Sequence, residues 1–177
     1  MGDMQDGLKQ VEAVYFRCTS RKREPLSTGG ALRNCGRYNV IGCAALYLAS
    51  SPNLAVSEHL HLGEIFEAKR FPPRLLVSVE VSLTLVLDLT DESTRERFGL
   101  TVADLAGPYS DDPDAPSITQ TIAVEARKSG IEAILAPSAL VTTETNLVVF
   151  RDNVASPRAV RVVGFDDHVA GPASAAE

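Results

Sequence analysis

The sequence has no run of about 18 apolar residues, so it predicts no membrane-spanning helix. Its three cysteines, Cys18, Cys35 and Cys43, are odd in number and form no CxxC pair. That spacing supports neither a disulfide framework nor a zinc knuckle, and it predicts reduced thiols in an intracellular, cytoplasmic protein. There is no GxGxxG opening a helix and no Walker A loop, hence no support for a Rossmann or P-loop site. No GxSxG elbow surrounds any serine. The first ten residues, MGDMQDGLKQ, lack the apolar core of a signal peptide. Basic residues are in deficit, 17 against 23 acids, for a net charge of −6 and a pI near 5.1. A nucleic acid polymer is therefore not the expected partner.

What is present fits one soluble domain. A chain of 177 residues with 45% hydrophobic and 23% charged residues can bury a core without staples. The charge is uneven: residues 1–40 carry seven Lys/Arg and four acids, which leaves +3 there and −9 beyond. A locally positive stretch in an acidic protein suits a small anionic ligand, although Arg21, Lys22 and Arg23 also fit a solvated loop. We read residues 1–10 as a flexible tail, 11–166 as the domain and 167–177 as a second tail.

Strands are predicted at Val11–Arg17 and Gly42–Ser50, separated by a long loop punctuated by Pro25, Gly29, Gly30 and Gly36. Ser51-Pro52 opens a helix that should reach about Lys69 and stop before Pro72-Pro73. Leu75 to Leu89 alternates strictly, with Leu75, Val77, Val79, Val81, Leu83, Leu85, Leu87 and Leu89 on one face. Its length predicts a break near Ser82. Short helical pieces follow at 91–98 and 101–105. Then come an acidic loop at 109–116 and a capping-box helix from Ser117 to Gly130. Strands at 131–135, 146–150 and 159–165 close an α+β fold with a mixed, mostly antiparallel sheet and flanking helices.

The helix from Pro52 carries an anomaly. Leu54, Ala55, Leu62, Ile65 and Phe66 fall within one apolar arc, and Glu58 lies inside it. Docking that face carries a carboxylate inward, where it needs a partner or a purpose. Either it is a catalytic or ligand-binding acid, or it forms an ion pair with a buried arginine. His59 and His61 are about 200° apart around the axis and cannot share a metal ion on a regular helix, and His168 is remote. No metal is expected. Arg37 in Gly36-Arg37-Tyr38-Asn39, Tyr47 in an apolar strand and Ser138 at a strand end complete a set. An arginine fork, an aromatic ring, an acid and a hydroxyl together suit an anionic, ring-bearing ligand such as a dinucleotide.

These residues, in this order, resemble the RES domain family, the toxins of RES–Xre toxin–antitoxin systems. The resemblance rests on Tyr15-Phe16-Arg17, Gly36-Arg37-Tyr38-Asn39, Ala45 to Ser51 and Ala55-Val56-Ser57-Glu58, then Ala136-Pro137-Ser138-Ala139 and Thr145-Asn146-Leu147-Val148. Tyr38 stands where the family often has tryptophan. The resemblance implies a split mixed sheet similar to ADP-ribosyltransferase toxins, with NAD⁺ as substrate and hydrolysis, phosphorolysis or transfer to a protein acceptor as the reaction. It also implies an Xre-type helix-turn-helix antitoxin as partner, and inorganic phosphate as a possible co-substrate. On that basis Glu58, Arg37 and Tyr47 are the expected catalytic residues. Arg17, Arg37, Tyr38, Tyr47, Ser138 and Asn146 are the expected dinucleotide contacts. Arg17 has a structural alternative, as the salt-bridge partner of Glu58.

Overall fold

The computed structural model describes residues 4–65 and 74–166, with the side chains of 62–65 excepted. Phe66, the end of the expected helix and His168 lie outside the described residues. The strands are β1 (Leu8–Ser20), β2 (Ala45–Ala49), β3 (Arg74–Asp88), β4 (Ala133–Pro137), β5 (Thr145–Phe150) and β6 (Val160–Asp166). The helices are α1 (Pro52–Ile65), α2 (Glu92–Arg97), α3 (Val102–Ala106) and α4 (Ile118–Lys128). The first strand begins at Leu8, three residues before the expected Val11. The fold is the α+β class expected, and β3–β4 is the parallel pair in a sheet whose other ladders are antiparallel.

The expected split sheet is not what forms. The strand order is β1-β2-β5-β4-β3-β6, and β1 also pairs with β3. That extra ladder closes five strands into a barrel, with β6 added outside the ring. The reason lies in strand length. β1 has 13 residues and β3 has 15, and they pair antiparallel from Leu8↔Leu87 to Ser20↔Arg74. The other edge of β3 is then divided, with β6 along Leu76–Val81 and β4 along Val86–Asp88. Closure removes sheet edges that would otherwise need covering.

Alternation sorts the side chains into two layers. Val77, Val79, Val81 and Leu83 of β3 fill the barrel with Leu46, Leu48, Leu147 and Val149, all at most 2% exposed. On the outside, Val148, Phe150, Ile134 and Leu87 pack against Ile122, Ala123 and Ala126 of α4. A smaller cluster seats α1: Leu54 and Ala55 pack on Cys18 of β1 and Ala49 of β2. Ser51 caps that helix through its Oγ, which accepts from Leu54 N at 3.0 Å.

The break in the long strand falls at Thr84–Leu85, not near Ser82. The pairing with β1 slips there, from Val11↔Leu83 to Lys9↔Val86. Leu85, expected inside, is 38% exposed, and Val86 takes the interior position at 0%. A carboxylate holds the slip. Glu132, 9% exposed, accepts from Thr84 N at 2.7 Å and from Leu85 N at 3.0 Å. The bulge frees two amides of β3, and a side chain immediately before β4 satisfies them. Glu132→Ala leaves both without a partner and should cost about 2–3 kcal/mol in urea unfolding. A loss under about 0.5 kcal/mol would remove Glu132 as the clamp of the bulge.

Candidate active site

Glu58 reaches the surface of a cleft from α1, half-buried. The docking of Leu54 one turn earlier, at 1% exposure, points it there. Two side chains hold one carboxylate oxygen. Oε1 accepts from Ser138 Oγ at 3.0 Å and from Asn146 Nδ2 at 2.8 Å. Ser138 follows β4 and Asn146 lies on β5, so three elements converge on one atom. Ser138 is 2% exposed, and its Oγ accepts in turn from Leu140 N and Val141 N at 3.1 and 3.2 Å. Among the described residues, Oε2 of Glu58 makes no hydrogen bond.

The ion pair considered for Glu58 and Arg17 does not form among the described residues. The Arg17 guanidinium turns to the loop after β1, donating from Nη1 to Pro25 O and from Nη2 to Ser27 O, both at 2.9 Å. Burial lowers its pKa to about 10, against the pull of Glu24, so it stays charged at neutral pH. Arg17 lines the cleft, but two of its donors brace the loop.

Arg37 and Tyr47 come together through the turn Gly36–Asn39. The Tyr47 hydroxyl donates to Asn39 Oδ1 at 2.8 Å and accepts from Tyr38 N at 3.0 Å. Burial, the largest cause, raises the pKa of that phenol, so it keeps its proton. The contact leaves no room at Gly36, where an added Cβ would lie 2.9 Å from the Tyr47 oxygen and 2.5 Å from Asn39 Oδ1. Asn39, 1% exposed, also donates from Nδ2 to Ala31 O and Asn34 O at 3.0 and 2.9 Å. Arg37 leaves this turn to donate from Nη1 to Gly107 O, and its guanidinium lies 5.8 Å from the centre of the Tyr109 ring. Tyr38 is 2% exposed and packs with the outer core, which leaves little ring surface for a ligand.

The cleft has a volume of about 780 Å³, within the range of small-molecule sites. Arg17, Arg23 and Arg37 line it, and Glu58 is its one acidic side chain among the described residues. His59 and His61 also line it. No group of three His, Cys, Asp or Glu side chains able to hold a metal occurs among the described residues. Two contributors went unnoticed in the sequence. Tyr109 sits in an acidic loop with no distinguishing spacing, and Asn39 was visible only as part of the Gly36-Arg37-Tyr38-Asn39 string.

The family model described as the RES domain matches residues 14–170. The chain belongs to the RES domain family. A probable NAD(+) phosphorylase of Mycobacterium tuberculosis is 30% identical over 148 residues, covering 80% of this chain and 66% of that relative. The chain thus spans slightly under two thirds of that relative's length. Among solved structures, the M. tuberculosis MbcT–MbcA toxin–antitoxin complex contains a chain with a TM-score of 0.75 and 25% identity. The match covers 90% of this RES domain protein and 86% of that chain.

His59 gives the RES cleft a pH signature. Burial, then the charges of Arg74, Arg17 and Arg23, lower its pKa below 6.5. In acid the unfolded chain therefore binds more protons than the folded one, and stability falls as pH drops below 6.5. His59→Gln should flatten that part of the curve, read as urea midpoints at about pH 7.5 and about pH 5. Parallel curves for the two proteins would remove His59 as the cause.

Proposed function

We propose that this cleft cleaves the nicotinamide–ribose bond of NAD⁺ and that the protein is the toxin of a toxin–antitoxin pair. The observation that carries the reading is Glu58, a carboxylate fixed by Ser138 and Asn146 on the wall of an otherwise cationic cleft. The names of the relative and of the structural neighbour, an NAD(+) phosphorylase and a toxin–antitoxin complex, support it.

In this reaction the bond from the ribose anomeric carbon to the pyridinium nitrogen breaks. Its electron pair goes to the nitrogen, and neutral nicotinamide leaves. Positive charge builds on the ribose, as in glycoside cleavage. A carboxylate already held in place stabilises that charge without reorganising. An oxygen of phosphate then bonds the anomeric carbon to give ADP-ribose 1″-phosphate. Water gives ADP-ribose instead and releases one proton. Arg37, with Arg17 and Arg23 in the same cleft lining, faces the anionic part of the substrate. Tyr47 shapes the floor through the Gly36–Asn39 turn, and Ser138 and Asn146 act by holding Glu58. The partner is a cognate antitoxin of the Xre helix-turn-helix type.

Glu58→Gln keeps the side chain's shape and removes its charge. It should lower nicotinamide release from NAD⁺ at least about a hundredfold. Product analysis with and without phosphate separates phosphorolysis from hydrolysis, and a discrete labelled protein band in lysate would instead indicate ADP-ribose transfer. Equal turnover by wild type and Glu58→Gln would remove Glu58 from the reaction.

A further inference from the structure

Gln120 is completely buried, at 0% exposure, and its amide is used in full. Nε2 donates to Ser110 O at 2.7 Å, to Gly36 O at 3.0 Å and to Asn39 O at 3.4 Å. Oε1 accepts from Ser117 N at 2.8 Å and from Ser110 N at 3.2 Å. A primary amide has two N–H donors and two lone pairs, so three carbonyls share two protons and both acceptor sites are filled.

The capping box of α4 explains only part of this. That motif needs Oε1 on Ser117 N and Ser117 Oγ on Gln120 N. The remaining contacts join two distant segments, the Gly36–Asn39 turn and the loop from Gly107 to Ser110. Arg37 spans the same two segments. Its backbone sits between Gly36 and Asn39, while its guanidinium rests on Gly107 O and the Tyr109 ring. The Gln120 amide therefore fixes the distance between the backbone that carries Arg37 and the groups that aim it.

We infer that Gln120 is a positioning residue for Arg37, and that it sets the affinity of the cleft for its anionic substrate. The inference rests on the proposed NAD⁺ site, since it takes Arg37 as a substrate contact. Gln120 itself lies beneath the cleft wall and does not line it. An arginine that holds the anionic part of NAD⁺ contributes equally before and during bond cleavage. Loosening it should raise KM and leave kcat nearly unchanged. Loss of Glu58 acts on kcat instead, which separates the two roles.

Three variants test this, each read by NAD⁺ kinetics and by amide hydrogen exchange over 36–39 and 107–110. Gln120→Met keeps the length of the side chain and removes its hydrogen bonds. It should raise KM roughly tenfold, keep kcat within about twofold, and speed exchange in both segments together. Ser117→Ala removes the other half of the capping box and leaves the loop contacts of Gln120. It should lower the melting temperature and leave KM at the wild-type value. Gln120→Glu places a carboxylate against three carbonyls. Its KM, relative to wild type, should be high at about pH 8 and recover towards about pH 5.5, where a proton restores one donor.

A folded Gln120→Met with wild-type KM and unchanged exchange overturns the inference, as does a Ser117→Ala whose KM rises equally. If Gln120→Met does not fold, a flat KM ratio with pH in Gln120→Glu overturns it. If the wild type releases no nicotinamide, the NAD⁺ reading fails separately. Exchange then decides, and acceleration confined to one segment sinks the coupling.

Discussion

The pairing of β1 along the whole of β3 is the constraint on which the rest of the molecule depends. It turns what would be an open sheet into a ring, and it leaves the other edge of β3 to be shared by β4 and β6. With the ring closed, β2, β5 and β4 form a continuous wall whose outward residues include Tyr47, Asn146 and Ala136. Their order is dictated by register: Ala49 stands beside Asn146, and Asn146 beside Ala136. The ladders of the barrel place Asn146, and Ser138 follows directly where β4 leaves the sheet, its hydroxyl fixed by the amides of the next loop. A rigid wall is the condition for a carboxylate held ready before its substrate arrives.

Two systems of polar contacts are built on that wall. One fixes Glu58 through Ser138 and Asn146. The other runs from Tyr47 through Asn39 and the Gly36–Asn39 turn to Gln120, Ser110 and, by way of Gly107, to Arg37. Both systems place a charged group in the cleft and satisfy its supporting atoms with neutral partners. Pairing Glu58 directly with an arginine would have neutralised both charges. Keeping them on separate supports leaves the carboxylate and the guanidinium available to different parts of one ligand.

Much of this was legible in the sequence, and the failures have physical causes. Glu58 stood out because a carboxylate between Leu54 and Leu62 on an apolar arc violates the pattern of its own helix. Strand and helix order followed from alternation and caps, including the Ser117 box. The bracing of the loop by Arg17 was not legible, because its partners, the carbonyls of Pro25 and Ser27, are backbone atoms that no composition reveals. The slip at Thr84–Leu85 left one faint mark, the run Leu85-Val86-Leu87 in an otherwise alternating stretch, and the carboxylate that holds it comes from the distant Glu132. Ring closure was hidden too, since pairing partners 54 to 79 residues apart leave no local mark. The residues named by the resemblance gather around one cleft, and their contacts there differ from one to the next. Ser138 and Asn146 hold the acid, and Tyr38 belongs to the core.

The environment of Ser138 has one more consequence. Its oxygen already receives the N–H groups of Leu140 and Val141, so its own hydrogen can point only outward, to Oε1 of Glu58. Asn146 presents a second hydrogen to the same atom. Among the described residues, Oε2 accepts from neither of them. The two oxygens of this chemically symmetrical group have become unlike. One is an anchor with fixed polarity, and the other keeps its lone pairs for whatever occupies the cleft.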